Sequence, residues 1–281
     1  MKKILTYITF VIIAVGFFLY ILFPSETVTT YLAYRLAQLA PQSEFSIADA
    51  RLTLPPGLVF SEIDIKFQKN PAAFLDRITV FPAYASFFKG RMGVDVNASL
   101  YDGKIVGYAD FAKTGKAGDI NADFRVLKVN LKSIPIIKEL ARYRISGILS
   151  GNIKYGGPSF GAGKGSAHFS AKKCGIEFDS PVIGLNGLVF DTGKTDITME
   201  KQKINIEALD LNGRNLSVSA TGSITLAANF SDSRIKLKGT LRPAPDILKK
   251  VGAFFPQKYV RQGGIPFTVT GTFSSMNYSF R

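Results

Sequence analysis

The 281-residue chain has one cysteine, one histidine and no tryptophan. With Cys174 alone, no intrachain disulfide can form. Its neighbours Lys172, Lys173 and Gly175 make no ligand cluster, so the thiol reads as structurally incidental. Any Ser/His/Asp or Cys/His site would have to use His168. Ala167 and Phe169 flank it on an expected strand, Cys174 lies six positions on, and there is no nucleophile-elbow sequence. A zinc site lacks ligands of the usual kinds. Carboxylates are scattered over polar faces (Glu62, Asp64, Asp95, Asp110, Asp119, Asp123, Glu207 and Asp210), and no pair is singled out for acid–base work. The segment from Pro158 to Gly165 is glycine-rich but lacks the spacing and the following Ser/Thr-led helix of a phosphate loop, so it reads as a flexible loop. These absences point away from an enzyme: no catalytic residue, no metal site and no cofactor is expected.

One long hydrophobic run is present. Ile4 to Phe23 holds 20 positions without a charge. At about 1.5 Å per helical residue it would span roughly 30 Å, the hydrocarbon thickness of a bilayer. Met1-Lys2-Lys3 before it could also open a secretory signal, but the run exceeds a signal's usual apolar length and no small-x-small cleavage site follows. The expectation is a retained single-pass anchor. Lys2 and Lys3 would hold its start in the cytoplasm, and the remaining chain would lie outside, in the periplasm of a diderm bacterium.

Lys and Arg number 35 against 21 acidic residues, a formal charge of +14. Such a balance suits nucleic acid, an anionic membrane surface or an acidic partner. Export argues against nucleic acid. An anionic phospholipid bilayer is the expected partner of a tethered basic domain, beside the plain alternative of a solvated surface.

After the anchor, Ser25 can cap a helix running to about Ala40. Its apolar stripe is Val28, Tyr31, Leu32, Leu36 and Leu39, and Pro41 ends it. From Phe45 on, period-two alternation dominates. Ile63, Ile65 and Phe67 alternate with Glu62, Asp64 and Lys66. Leu216, Val218 and Ala220 alternate with Ser217, Ser219 and Thr221. That is the pattern of antiparallel strands with one wet and one buried face. Turn signals fall at Asp102-Gly103, Gly156-Gly157-Pro158, Asn212-Gly213 and Ser231-Asp232. Two short helices are expected, Ile134–Arg142 and Ala244–Phe254, with Pro135 and Pro245 in their first turns.

Those prolines stand 110 positions apart, as do Gly103 and Gly213, Lys128 and Lys238, and Ile137 and Ile247. The offset suggests a duplicated hairpin–strand–helix–strand unit, at about 93–155 and 203–281.

The expected class is mainly β: a transmembrane helix, then a curved, mostly antiparallel sheet with a few short helices. The parts are residues 1–23 (cytoplasmic start and anchor), 24–43 (amphipathic helix) and 44–281 (periplasmic β-rich domain). Ten or more one-sided strands must cover an apolar face, by closing into a sandwich or barrel or by curling into a trough. A trough near a membrane could hold acyl chains. Phe60, Phe67, Phe81, Phe87 and Phe88 are lining candidates, beside the plain reading that they form a core.

The anchor ending Phe23-Pro24, the helix Val28–Leu39, the segment Leu52-Thr-Leu-Pro-Pro-Gly-Leu58 and the later pieces Leu209 to Leu216, Ser217 to Ile224 and Leu237 to Pro243 together resemble the type II secretion system protein N family of the AsmA-like group. The resemblance implies a bitopic inner-membrane protein with a periplasmic β-rich domain. It would be a non-catalytic accessory component of protein secretion, in contact with other type II secretion system components. AsmA-like relatives are associated with lipid handling between membranes, so a periplasmic lipid-binding or lipid-transfer module is the alternative. The family supplies no catalytic residues to carry over.

Overall fold

The computed structural model describes residues 2–39, 43–67, 70–88, 90–112, 120–135, 143–158, 163–182, 185–227, 232–245 and 264–280. Two helices open the chain, α1 (Lys2–Ile21) and α2 (Ser25–Leu39). Fourteen strands follow: β1 (Ser43–Thr53), β2 (Gly57–Phe67), β3 (Asn70–Pro82), β4 (Arg91–Leu100), β5 (Gly103–Ala112), β6 (Ile120–Asn130), β7 (Tyr143–Gly157), β8 (Lys164–Val182), β9 (Leu185–Glu200), β10 (Lys203–Asn212), β11 (Leu216–Thr225), β12 (Arg234–Pro243), β13 (Ile265–Thr272) and β14 (Met276–Phe280). A one-turn helix, α3 (Tyr84–Phe87), precedes β4, and a 3₁₀ turn, Leu131–Ser133, follows β6.

Every strand pairs antiparallel with its sequence neighbours, so the sheet is a single fourteen-stranded meander in chain order. At about 4.8 Å per strand, thirteen intervals span roughly 60 Å along the sheet. Each strand buries its face beside its two neighbours, as in a repeat array.

Bulges interrupt the ladders. On β6 and β8 they coincide with Lys128 (φ 54°) and Lys173 (φ 53°), on β10 the register shifts between Ile206 and Leu209, and between β2 and β3 it shifts between Ile65 and Lys66. An extra residue in one strand bends it and increases its twist. It also switches side-chain parity. On β2 parity changes at Glu62 (φ 52°) without a shift of register: Phe60 before it and Ile63 after it are buried in one cluster.

α2 closes the β1 end of the sheet. Phe23, Val28 and Leu32 pack on Ala50, Phe60 and Ile63. Full burial of a Phe or Ile side chain contributes about 1.5–3 kcal/mol, so this cluster holds the helix in place. Ser25 does not act as the expected cap. Its Oγ donates to Asp49 Oδ1 (3.0 Å) and accepts from the Ala50 N–H (2.9 Å), pinning the helix start to β1. Tyr31 also departs from the expected stripe: it is 56% exposed, its hydroxyl accepts from Arg35 Nε (3.1 Å), and the guanidinium lies 5.6 Å from its ring centre. A charged partner one turn along holds it on the wet side.

The turn expected at Asp102-Gly103 lies one residue earlier. Tyr101 (φ 48°) and Asp102 (φ 60°) form the two-residue loop, and Leu100 pairs with Gly103. Two left-handed residues suit the twist of a hairpin. Gly103 opens β5, where a Cβ would come within 2.7 Å of the Val129 backbone. Pro135 and Pro245 each stand at the first helical position of a connection, β6–β7 and β12–β13. Both connections follow even-numbered strands, so both lie at the same rim of the meander. The rest of these two helices, residues 136–142 and 246–254, lies outside the described residues, as do Asp119 and the loop 159–162.

As backbone, α1 is a continuous 20-residue helix, and Tyr7, Phe10, Phe17 and Phe18 on it are exposed. Counted over the described residues, no helix is long and apolar enough to cross a membrane.

Candidate functional site: the apolar face of the sheet

Paired residues in an antiparallel ladder point to the same side of the sheet. The registers can therefore be followed from strand to strand as rows. The central row is Ala50, Phe60, Ile78, Ala98, Ile105, Val126, Gly151, Phe169, Thr195, Leu209, Ala220, Gly239, Phe267 and Phe280, one residue from each strand. Its single hydroxyl is used internally: Thr195 Oγ1 donates to Ala208 O (2.9 Å), a carbonyl within the β10 bulge.

A second row also crosses all fourteen strands: Leu52, Leu58, Val80, Val96, Gly107, Phe124, Ile153, Ala167, Ile197, Ile206, Gly222, Leu237, Val269 and Tyr278. A third runs from Pro82 to Met276 through Val94, Ala109, Ala122, Tyr155, Gly165, Met199, Ile204, Ile224, Ile235 and Gly271. The Tyr155 hydroxyl accepts from the Gly163 N–H (2.9 Å). A fourth links Val129, Leu149, Ala171, Gly193, Leu211, Val218, Leu241 and Ile265.

Within these rows, aromatic rings lie over glycines of the next strand. A Cβ built on Gly107 would meet Phe124 Cδ1 at 2.5 Å, one on Gly151 would meet Phe169 Cδ1 at 2.5 Å, and one on Gly239 would meet Phe267 Cε1 at 2.6 Å. The glycine makes room for a ring that would otherwise stand away from the sheet. The rings thus lie low, and the face stays even across β5–β6, β7–β8 and β12–β13.

Among the described elements, α2 packs against this face at β1 and β2, and Ile134, after the 3₁₀ turn, packs on Val126 and Val129. Further along, side chains such as Ile153, Phe169, Ile197, Leu237 and Val269 are half-buried. The buried apolar positions beyond the first strands are mainly small or aliphatic: Ala122, Val126, Val129, Val218, Ala220, Ile235 and Ile265, with the ring of Phe190 (1% exposed).

The opposite face is polar. Its rows include Asp95, Tyr108, Asp123, Lys154, Ser166, Thr198, Asn205, Ser223, Lys236, Thr270 and Asn277. α3 lies over it: Ser86 Oγ and the Tyr108 hydroxyl are 2.6 Å apart. Beneath α3, buried Asp110 accepts from Tyr108 Oη (2.9 Å), Asn121 Nδ2 (3.2 Å) and Arg91 Nε (2.7 Å), with a further bond from Arg91 Nη2. Burial pushes this carboxyl up, but the hydrogen bonds and the guanidinium charge outweigh it and hold the group below its usual range. Four hydrogen bonds converge on this carboxylate, so it fastens α3 through Tyr108 and Arg91.

The sequence candidates sort accordingly. His168 lies on the polar face, 67% exposed, with Nδ1 2.7 Å from Asp196 Oδ1. Asp196 sits 28 residues on and was no sequence candidate; only the β8–β9 register brings the two together. Cys174 pairs with Phe190, apart from His168, and burial raises its thiol. Raised and half-buried, it is a poor nucleophile. Among the described residues no cluster of His, Cys, Asp or Glu could hold a metal ion.

Two aromatic candidates are corrected. Phe81 pairs with Asp95 on the polar face and packs over Gly57, and Phe88 is 93% exposed in the turn after α3. A lone Phe outside a clear alternation carries no face of its own; register assigns it. Phe60 is on the apolar face, Phe67 is half-buried, and the Phe87 side chain lies outside the described residues. Phe124, Phe169 and Phe267 line the apolar face instead. Their signal was the glycine on the adjacent strand, which is legible only once strands are paired.

No family model, no curated protein and no solved structure matches the chain, so the functional reading rests on the geometry of the sheet.

Proposed function

We propose that this protein is a non-catalytic lipid-handling module whose apolar sheet face receives acyl chains. One observation carries the reading. The central and second rows run apolar or glycine-containing across all fourteen strands, with the one threonine hydroxyl turned to the sheet's own backbone. Such a face needs an apolar cover, and hydrocarbon chains lying along it would meet no unpaired polar group on either row. The bulges support a sheet that curls along its length, which would wrap a chain on more than one side.

The first helix supplies a source of lipid. α1 exposes large apolar side chains, and α2 sits on the sheet next to it at the β1 end of the rows. We take α1 as the membrane anchor, with Lys2 and Lys3 on the cytoplasmic side and the sheet in the periplasm. Lipid leaving that membrane would then reach the rows at β1. The test is photo-crosslinking with a diazirine fatty acid, using the full chain in mild detergent. Adducts confined to peptides of the apolar rows support the reading; adducts confined to α1, with none on β7–β13, overturn it.

A second reading keeps the role of accessory component in type II secretion. The observation favouring it is that β14 ends the strand order among the described residues, the position at which a partner strand could add to the sheet. β14 is five residues long, a short edge that limits such pairing. Co-purification of secretion subunits that is lost on replacing Ser279 by proline would support it.

A further inference from the structure

The last four strands differ from the rest in charge. β11 to β14 contain Arg234, Lys236, Lys238 and Arg242 and no Asp or Glu. All four cations are on β12 and all are exposed. Arg234, Lys236 and Lys238 alternate with Ile235 and Leu237 of the apolar rows, so they stand on the polar face about 7 Å apart. The register surrounds each with hydroxyls. Arg234 lies between Thr225 and Thr272, Lys236 between Ser223 and Thr270, and Lys238 between Thr221 and Thr268. Among the described residues none of the three is ion-paired, whereas on the same face Lys154 meets Asp123 (3.8 Å) and Lys164 meets Glu200 (3.4 Å).

We propose that this ladder docks the C-terminal end of the sheet on the phosphate headgroups of an anionic phospholipid bilayer. Cations at a regular spacing attract phosphate, and hydroxyls on both sides add donors to its oxygens. The ladder has no aromatic side chain among its nine positions, so it offers no stacking platform for bases, which argues against single-stranded nucleic acid. Eleven strand intervals separate β1 from β12, about 50 Å along the sheet. The ladder is therefore remote from α1 and can meet a surface other than the one beside the first helix. Ladder and apolar rows occupy opposite faces, so headgroup docking does not depend on acyl-chain binding.

The test uses the full chain reconstituted in phosphatidylcholine vesicles and measures its capture of a second, labelled population containing 30% phosphatidylglycerol. The ladder variant carries Arg234→Ser, Lys236→Ser and Lys238→Ser. A charge-matched control carries Lys154→Ser, Lys164→Ser and Lys172→Ser, all exposed on the same face. At about fivefold per cation near the surface, the ladder variant is expected to lose about 100-fold in affinity, and the control far less. Capture should also fall steeply with added salt. Equal losses in the two variants would reduce the ladder to net charge and overturn the proposal. So would equal capture of vesicles lacking phosphatidylglycerol, or capture of an acidic protein in place of vesicles. Fatty-acid crosslinking to the apolar rows should be unchanged in the ladder variant, so the two readings fail separately.

Discussion

Gly151→Ala is the substitution that most sharply probes how the apolar face is built. Its Cβ would stand 2.3 Å from the His168 carbonyl oxygen, 2.5 Å from Phe169 Cδ1 and 3.0 Å from Phe169 Cα. Carbon atoms rest at about 3.5–4.0 Å, so both the ring and the β8 backbone must give by about 1 Å. Both strands are paired on each side, β7 with β6 and β8 with β9, which resists backbone movement. Overpacking of this kind costs about 1–3 kcal/mol. Gly156→Ala on the same strand is the control: its nearest neighbour would be Asn121 Oδ1 at 3.5 Å, an ordinary van der Waals distance. That variant is expected within about 0.5 kcal/mol of the parent, helped by lower freedom of the unfolded chain. With no tryptophan in the chain, urea unfolding would be followed by far-ultraviolet circular dichroism in mild detergent. Adding Phe169→Ala removes the ring but leaves the close approach to the β8 backbone, so the double-mutant cycle should recover about 1 kcal/mol. If Gly151→Ala and Gly156→Ala cost the same, the ring does not lie over the glycine and the even face is wrong.

Other expectations follow from single contacts. Asp110→Asn should cost about 2 kcal/mol at pH 7, because Arg91 loses a charged partner, read as a lower urea midpoint. The native carboxyl is held below its ordinary value, so its contribution is complete above about pH 4 and is lost as pH falls through the folded value. The parent should therefore weaken below about pH 4 and the variant should show a flatter acid limb; identical limbs would show that Asp110 does not fasten α3 through its charge. Thr195→Val strands the Ala208 carbonyl in the β10 bulge, with an expected loss of about 1 kcal/mol in urea unfolding. Ser25→Ala removes both bonds from α2 to β1, and proteolysis between α2 and β1 should quicken while the β8–β13 core stays protected. Cys174 should react with maleimide near neutral pH far more slowly than in the unfolded chain, and equal rates would contradict its burial.

The alternation of Ile63, Ile65 and Phe67, or of Leu216, Val218 and Ala220, was enough to read an antiparallel, one-sided sheet from the residues alone. The order of the strands was not legible, because period two fixes a face and not a neighbour. The bulges hid part of the pattern. At Lys128 and Lys173 one extra residue flips parity, and at Glu62 (φ 52°) parity changes with the register intact, so Phe60 and Ile63 share a face although three positions separate them. Ser25 was expected to serve its own helix, but it is tied to β1, a bond across 25 positions. The same limit applied to the site. His168 was visible and Asp196 was not, since a cross-strand partner has no sequence signal of its own. The cations of β12 were counted in the net charge, yet their isolation from carboxylates emerged only from the register of β11, β12 and β13.

Mass spectrometry of the full chain purified in mild detergent tests the acyl-chain site most directly, with Ile153→Asp and Ile197→Asp as a paired block of the second row. Stoichiometric phospholipid is predicted on the parent and most of it should be lost from the double variant, with the circular dichroism spectrum preserved. A parent that carries no lipid, or a folded double variant that carries as much as the parent, would contradict an acyl-chain site on the apolar face.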